Sequence, residues 1–218
     1  MLNNIKGAIF DMDGTLIDSI WVWIKINIDF LAKRNIECPD NLKEEIEHLS
    51  FEETAVYFKK RFGLSDSIQE ICDEWNNMAF EEYKNRVKLK PGAKNYLNIL
   101  KSSGIKIGLA TSNCRLLLET ALKENGIYHY FDAITTTDEV SRGKQFPDVY
   151  LLAAERLGVS PKECMVFEDI LPAVIGAKSA GMKVIGIHDE NSKHQMDDIS
   201  SIADRYVHEY SELIKDAI

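Results

Sequence analysis

The 218-residue sequence lacks several features that would assign it to a special class of protein. Positive charge is scarce, with 26 Lys and Arg against 35 Asp and Glu, so the net charge is −9. A chain this acidic is a poor partner for nucleic acid or for an anionic membrane surface. Long hydrophobic runs are missing too, since the longest, 20–31, contains Lys25 and Asp29 and cannot span a bilayer. We therefore expect no nucleic-acid partner and no membrane partner.

Cysteine is sparse, with 4 residues that form no CxxC pair and no Cys-His cluster of zinc spacing. We expect reduced thiols, as in a cytosolic protein. Residues 1–13 carry one lysine and only a short apolar stretch before acids appear, so we expect no signal peptide and a cytoplasmic location. Hydrophobic residues make up 45% of the chain, which is enough to offset the entropy lost on ordering and excludes a disordered protein.

Short apolar runs alternate with helical patterns along most of the chain. The runs, read as buried strands, are 6–10, 105–110, 133–135, 164–167, 183–187 and 205–207. The helical patterns between them have a proline in the first turn or a glycine after the last, and cover 91–103, 116–125, 148–157 and 171–180. This alternation predicts an α/β fold, a doubly wound parallel sheet covered by helices on both faces.

Residues 16–87 break the alternation, because they contain no convincing strand. They are interpreted as an inserted all-α domain with helices at 17–34, 41–48, 52–62 and 67–86. The core domain would then be 1–15 plus 88–218. Two tryptophans, Trp21 and Trp23, lie near the start of the first inserted helix. Packing is the favoured role for both, and stacking of one of them on a ligand ring is the alternative.

Two carboxylates, Asp11 and Asp13, directly follow the first predicted strand in the motif DMDGTL. Side chains two residues apart in an extended chain point to the same side. Ligands of open α/β sheets bind off the carboxyl ends of the strands, where these acids would lie. Two acids together cost electrostatic energy unless a cation joins them or one is protonated. The alternative is an acidic turn in which Gly14 supplies the bend.

Further polar residues follow strands or open helices: Thr111, Ser112, Asn113, Lys144, Glu168 and Asp169. Each has a plain alternative, namely helix capping for the first three, a solvated lysine, and acids that favour a helix N-terminus. Taken together, oxygen ligands without His or Cys select a hard cation, above all Mg²⁺. A metal beside hydroxyls, backbone amides and a lysine indicates a phosphoryl site.

The motifs DMDGT, TSN, GKxxPD and ED, in that order, resemble those of the haloacid dehalogenase superfamily of phosphatases. The match runs over nearly the whole predicted core. More narrowly, the sequence resembles the branch with a helical cap, which includes β-phosphoglucomutase and phosphoglycolate phosphatase. The resemblance implies a Rossmann-like core, a cap that closes over the substrate, and Mg²⁺-dependent hydrolysis of a small phosphorylated metabolite.

The resemblance also implies roles for the site residues. Asp11 would attack phosphorus and form an aspartyl-phosphate, and Asp13 would act as general acid and then as base. Four acids would hold Mg²⁺: Asp11, Asp13 (through its carbonyl), Glu168 and Asp169. Four residues would hold the phosphoryl oxygens: Thr111, Ser112, Asn113 and Lys144.

The sequence departs from the family pattern in several places, and two of them bear on function. Ile170 stands where a serine is common after the Glu-Asp pair. In 48–53, the basic residue and glycine that many relatives use for substrate are missing. This second departure counts against the main alternative, a phosphohexomutase like β-phosphoglucomutase, which needs a second phosphate held by the cap. A further alternative is a non-catalytic protein that binds a phosphorylated metabolite. We expect a monomer, and the sequence leaves the substrate open.

Overall fold

A computed structural model of the chain describes residues 4–46, 49 and 51–215. The chain divides into two compact units. The first unit is Met1–Asp18 with Val87–Ile218, and the second is Ser19–Arg86. The assignment of a core and a cap to these units stays a prediction. None of the helices in the described part of the chain combines the length and the apolar character that crossing a membrane requires.

The elements are numbered along the chain. The strands are β1 (Gly7–Phe10), β2 (Ile17–Asp18), β3 (Lys88–Leu89), β4 (Lys106–Thr111), β5 (Ala133–Thr136), β6 (Cys164–Glu168), β7 (Lys183–Ile187) and β8 (Arg205–Val207). The helices are α1 (Ile20–Ala32), α2 (Leu42–Ile46), α3 (Phe51–Phe62), α4 (Ile68–Asn85), α5 (Ala93–Ser102), α6 (Arg115–Glu124), α7 (Asp148–Leu157), α8 (Leu171–Ser179), α9 (Met196–Ile202) and α10 (Tyr210–Lys215).

The first unit contains a six-stranded sheet in the order β5-β4-β1-β6-β7-β8. Every neighbouring pair in it is parallel. The chain fills the sheet to one side of β1 with β4 and β5, and to the other side with β6, β7 and β8. Such a reversal of strand order is the place where open α/β sheets bind ligands, outside the carboxyl ends of the strands. The predicted parallel sheet is confirmed.

Helices cover both faces of this sheet. Successive residues of β1 point to opposite faces, so the neighbours of Ile9 and Phe10 show what covers each one. Ile9 lies in a buried cluster with side chains of α7 and with Val174 of α8. On the other side, the rings of Phe10 and Phe167 stack with centroids 4.2 Å apart. The ring of Phe167 in turn packs against that of Tyr96 on α5, with the ring centroids 5.7 Å apart. The doubly wound arrangement is therefore confirmed.

A second, two-stranded sheet joins β2 and β3, and the sequence did not predict it. Ile17 pairs with Leu89 and Asp18 pairs with Lys88, in antiparallel register. Ile17 and Asp18 are extended because their backbones pair with β3. The helix predicted to begin at residue 17 therefore begins at Ile20.

The second unit is all-α and is organised around aromatic side chains. The ring of Trp75 on α4 lies 4.9 Å from that of Phe58 on α3 and 5.5 Å from that of Phe30 on α1. Helix α4 begins with a capping box, in which Ser67 and Glu70 each accept a hydrogen bond from the other's backbone N–H. Burial of these rings holds the helices together, and the capping box stabilises the start of α4.

Residues 47, 48 and 50 lie outside the described residues, and with them the end of the predicted helix 41–48 and part of the segment 48–53.

Trp23 packs inside its own unit, with distances between ring centroids of 5.8 Å to Phe51 and 6.5 Å to Tyr83. These contacts agree with the packing role favoured for Trp23, and stacking of Trp21 or Trp23 on a ligand ring stays an untested alternative.

Candidate active site

Three neighbouring strands bring polar residues to one edge of the six-stranded sheet. Phe10, the last residue of β1, pairs with Leu109 of β4 and with Phe167 of β6. Because the strands are parallel, the residues that follow these positions lie at the same edge. The backbone N–H of Asp11 donates to the carbonyl of Phe167 at 3.0 Å, which fixes Asp11 beside the end of β6.

Three buried carboxylates meet at this edge. Asp11, Glu168 and Asp169 each offer a carboxylate oxygen, and these oxygens lie within 4.8 Å of one another. The position of Asp169 depends on Gly14, which has φ +84°; a Cβ there would come within 2.9 Å of the Asp169 carboxyl carbon. Glycine adopts this backbone conformation without a steric penalty. Three carboxylates at this separation form a group that could hold a metal ion.

The protein environment disfavours the charged form of two of these acids. Burial raises the pKa of Glu168 to about 7, with the charge of Asp11 adding to the effect and that of Lys144 opposing it. Burial also raises the pKa of Asp169 well above its usual range, and the charges of Asp11 and Glu168 raise it further. One oxygen of Glu168, Oε2, is buried and has no hydrogen-bond partner among the described residues. An oxygen-rich site with an unpaired buried oxygen fits a hard cation.

Lys144 lies between two of the carboxylates and is itself buried. Its Nζ donates to Oδ1 of Asp11 and, at 2.6 Å, to Oε1 of Glu168. Burial alone would lower the pKa of Lys144, but the charges of Asp11 and Glu168 outweigh that effect and raise the pKa above its ordinary value. Lys144 is therefore a cation at neutral pH, held against Asp11.

Thr111, the last residue of β4, and the two residues after it reach the same edge from the other side of β1. The side-chain amide of Asn113 donates to Oδ2 of Asp13 at 2.9 Å. The hydroxyl oxygen of Thr111, which is buried, accepts from the backbone N–H of Asn113 at 3.0 Å. The side chain of Ser112 is exposed at the bend between them. Thr111 and Asn113 thus form one polar loop beside Asp13.

This arrangement agrees with the sequence profile of the haloacid dehalogenase-like hydrolases, which matches residues 8–187. The chain belongs to the haloacid dehalogenase-like hydrolase family. Among relatives, YhcW of Bacillus subtilis is 34% identical over 186 residues, covering 83% of this chain and 82% of that protein. Hexitol phosphatase B of Escherichia coli is 30% identical over 187 residues, covering 83% of this chain and 82% of that protein.

The fold of this hydrolase is also that of a solved β-phosphoglucomutase. The crystal structure of the enzyme from Clostridium difficile superposes with a TM-score of 0.76, covering 98% of this chain and 96% of that one. The two sequences are 23% identical, so the likeness concerns the fold. The resemblance of the sequence to the haloacid dehalogenase superfamily is confirmed, and the fold is the one that this β-phosphoglucomutase has.

Sequence reasoning missed two side chains that contact the acids of this hydrolase. The hydroxyl of Thr15 donates to Oδ1 of Asp169 at 3.0 Å. The phenol of Tyr150 on α7 donates to Oε1 of Glu168 at 2.8 Å. Thr15 is part of the DMDGT motif, so its place in the sequence could have indicated a contact with the acids. Nothing in the sequence indicates such a contact for Tyr150, because it occupies an apolar position of an ordinary helix.

Ile170, which stands where a serine is common after the Glu-Asp pair, directly precedes α8. It is 38% exposed. The backbone N–H of Leu171, the first residue of α8, donates to the side-chain oxygen of Gln195 at 2.8 Å. A residue far along the chain therefore satisfies one of the N–H groups that the first turn of a helix leaves unpaired.

Proposed function

We propose that this hydrolase is a Mg²⁺-dependent phosphatase that removes phosphate from a small phosphorylated metabolite. The observation that carries the proposal is the placement of Lys144, which is paired with both Asp11 and Glu168 inside the cluster of buried acids. A cation beside an ionised carboxylate suits a site where an anionic phosphoryl group is attacked. The name of hexitol phosphatase B supports a phosphate ester as substrate.

Asp11 is the proposed nucleophile. Its carboxylate attacks phosphorus, the bond between phosphorus and the ester oxygen breaks, and an aspartyl-phosphate forms. Asp13 donates a proton to the departing alkoxide and then takes a proton from the water that hydrolyses the intermediate. The hydrogen bond from Asn113 to Asp13 holds this carboxyl group in one orientation.

The acids of the site fit Mg²⁺ as the cation. Asp11, Glu168 and Asp169 would supply carboxylate oxygens, which Mg²⁺ prefers. Asp13 is not one of the three clustered carboxylates, and its proposed contribution is its backbone carbonyl. When bound, Mg²⁺ would neutralise charge that develops on the phosphoryl oxygens.

The phosphoryl oxygens would be held by donors that lie beside the acids. Lys144 supplies an ammonium group, and the loop Thr111, Ser112 and Asn113 supplies hydroxyl, amide and backbone donors. The second unit is proposed to act as a cap that limits the entry of water. We further propose that the protein is a monomer and that it is located in the cytoplasm.

The test is phosphate release from a panel of phosphorylated metabolites, with Mg²⁺ and with EDTA. We expect turnover that EDTA abolishes and that Asp11→Asn removes. Asp13→Ala should lower the rate by about 10²–10⁴, the usual contribution of a general acid–base. The matched control is Asp197→Asn, an exposed acid in the first turn of α9, which should keep the wild-type rate. Full activity of Asp11→Asn would show that Asp11 is not the nucleophile, and silence on the panel would favour a binding protein.

A further inference from the structure

The second unit contains a cavity of about 620 Å³ to which the proposed function above assigns no ligand. Side chains from α1, α2, α3 and α4 line it, all of them within this one unit. Cavities that bind small molecules have volumes of roughly 300–1,000 Å³ and mostly apolar walls. The size of this cavity is therefore that of a site for a small organic molecule.

Helix α1 has two apolar faces, and only one of them packs into its unit. Val22 and Phe30 are fully buried on the inner face. Ile20, Ile24 and Ile28, spaced four residues apart, line the cavity. Ile24 and Ile28 are 39% and 48% exposed. A surface helix normally carries polar residues opposite its buried face, so packing of the unit does not account for these three isoleucines.

Aromatic rings form a second wall of the cavity. Trp23, Phe51 and Trp75 all line it. Phe51 lies 5.8 Å from Trp23 and 5.6 Å from Trp75, both in edge-to-face contact. Each of these three rings therefore packs edge to face against at least one other ring of the wall. Aromatic walls of this kind favour flat, apolar partners.

Charged groups are few in the described lining of the cavity. It contains one basic side chain, Lys43, and one acidic side chain, Asp40, with Asn27 and Thr54 as the other polar residues apart from the indoles. A polyol or a second phosphate would lose its hydration here and find few partners in return. A molecule with an apolar body and one or two polar groups matches the lining better.

We propose that this cavity binds a small organic molecule with an apolar ring system. The molecule is either the organic part of the phosphorylated substrate or a separate compound. The first source rests on the proposed function, whereas binding to the cavity does not. Both sources share the same recognition chemistry, so binding and catalysis are tested separately.

Binding is tested with 2-naphthol as the apolar ring probe and glucitol as the polar probe, by isothermal titration calorimetry on the full chain. We expect 2-naphthol to bind and glucitol not to bind. The three tryptophans of the chain, Trp21, Trp23 and Trp75, all belong to the second unit. Energy transfer from tryptophan to bound 2-naphthol therefore provides a second readout, and its loss in the cavity variants described next assigns the bound probe to this unit.

The decisive variant is Ile28→Glu, which places a charge on the apolar wall at a position that is already half exposed. It should weaken 2-naphthol binding about tenfold or more, since a buried isoleucine contact contributes that much and the charge adds a desolvation cost. Ile24→Glu should act in the same way. The matched control is Ile202→Glu, an exposed isoleucine on α9 in the first unit, which should bind as wild type does. Circular dichroism melting shows that each variant is folded.

The source of the molecule is decided by comparing phosphate release from 2-naphthyl phosphate and glycerol phosphate. If the cavity holds the substrate, Ile28→Glu raises KM for the naphthyl ester and leaves that for glycerol phosphate unchanged. If the cavity holds a separate compound, both KM values stay at the wild-type level while 2-naphthol binding is lost. The proposal is overturned if 2-naphthol does not bind the wild type, or binds the folded Ile28→Glu and Ile24→Glu variants equally well. Binding that persists in an inactive protein separates failure of the proposed function from failure of this inference.

Discussion

Among individual residues, Glu168 shows how the site controls a single carboxylate. Its Oε1 accepts from Tyr150 at 2.8 Å and from Lys144 at 2.6 Å. Its Oε2 is buried and has no hydrogen-bond partner among the described residues. Two donors on one oxygen fix the rotation of the carboxylate and leave the other oxygen for a cation. Such positioning by neighbouring groups is a common feature of metal sites.

Removal of the Tyr150 hydroxyl tests this positioning. Tyr150→Phe keeps the ring and deletes one hydrogen bond, which contributes about 0.5–1.5 kcal/mol. We expect Mg²⁺ to bind roughly three- to tenfold more weakly, because the Glu168 carboxylate is less well oriented. Isothermal titration calorimetry with Mg²⁺ measures this directly, without reference to turnover.

The control for Tyr150→Phe is Tyr128→Phe, which deletes the hydroxyl of a half-buried tyrosine outside the acid cluster. It should leave the Mg²⁺ affinity unchanged. A Tyr150→Phe protein with wild-type Mg²⁺ affinity would show that Lys144 and the packing around Glu168 are sufficient to orient its carboxylate.

Among the elements, α8 positions the loop that carries Lys144. A Cβ built on Gly176 would overlap the carbonyl oxygen of Lys144 and would lie 2.9 Å from that of Phe146. The helix can lie against the backbone of this loop only because residue 176 has no side chain. The loop then delivers the ammonium of Lys144 to Asp11 and Glu168.

Gly176→Ala has two opposing effects on the free energy of unfolding. Alanine in a helix interior is favoured over glycine by roughly 0.5–1 kcal/mol. Overpacking against a backbone costs about 1–3 kcal/mol, so we expect a net loss of stability. Displacement of Lys144 should also lower kcat by on the order of tenfold or more. Urea unfolding measures the change in stability, and steady-state kinetics measures the change in kcat.

The control on the same helix is Ile175→Ala, an exposed position where we expect stability to change by no more than about 0.5 kcal/mol. If Gly176→Ala were more stable than wild type with unchanged kcat, the close contact between α8 and the loop would not constrain Lys144.

The elements also show how much of the fold the sequence could predict. The strand predicted at 105–110 is observed as Lys106–Thr111, and that at 183–187 as Lys183–Ile187. Strands buried on both faces are continuous apolar runs, which are easy to recognise. The missed elements are short: β2 and β3 have two residues each, and α9 and α10 have seven and six. Segments of this length carry too little periodicity to be detected.

The candidate site was partly predictable for a different reason. Its acids, Lys144 and the loop after β4 follow strands or open a helix, and the topology of a parallel sheet brings strand ends together. The roles of Tyr150 and Gly176 depend on contacts between residues far apart in the chain. Such contacts are set by packing of α7 and α8, and nothing in the local sequence encodes them.

For the molecule as a whole, the buried acids reduce the stability of the metal-free fold. Burial raises the pKa of Glu168 to about 7 and raises that of Asp169 well above its usual range. Between about pH 4.5, where carboxyl groups titrate in an unfolded chain, and pH 7, the folded state binds more protons than the unfolded state. The free energy of unfolding of the metal-free protein therefore falls as pH rises through this range.

Mg²⁺ should reverse this loss, because the cation takes the place of the protons. Binding requires ionised carboxylates, so it is stronger at higher pH. We expect EDTA-treated protein to melt at a lower temperature at pH 8 than at pH 6. We also expect Mg²⁺ to raise Tm more at pH 8, by about 2–4 °C for each kcal/mol of stabilisation. Differential scanning calorimetry at the two pH values, with EDTA or Mg²⁺, measures all four conditions.

Glu168→Gln provides the control for this pH dependence. The amide does not titrate and is a poorer ligand, so the variant should show a flatter pH dependence without metal and a smaller response to Mg²⁺. The paired variant Glu190→Gln removes an exposed acid and should behave as wild type does. An equal Mg²⁺ response at both pH values in the wild type would show that the cation does not displace protons from the buried acids. The stabilising effect of Mg²⁺ would then have to arise elsewhere on this acidic molecule.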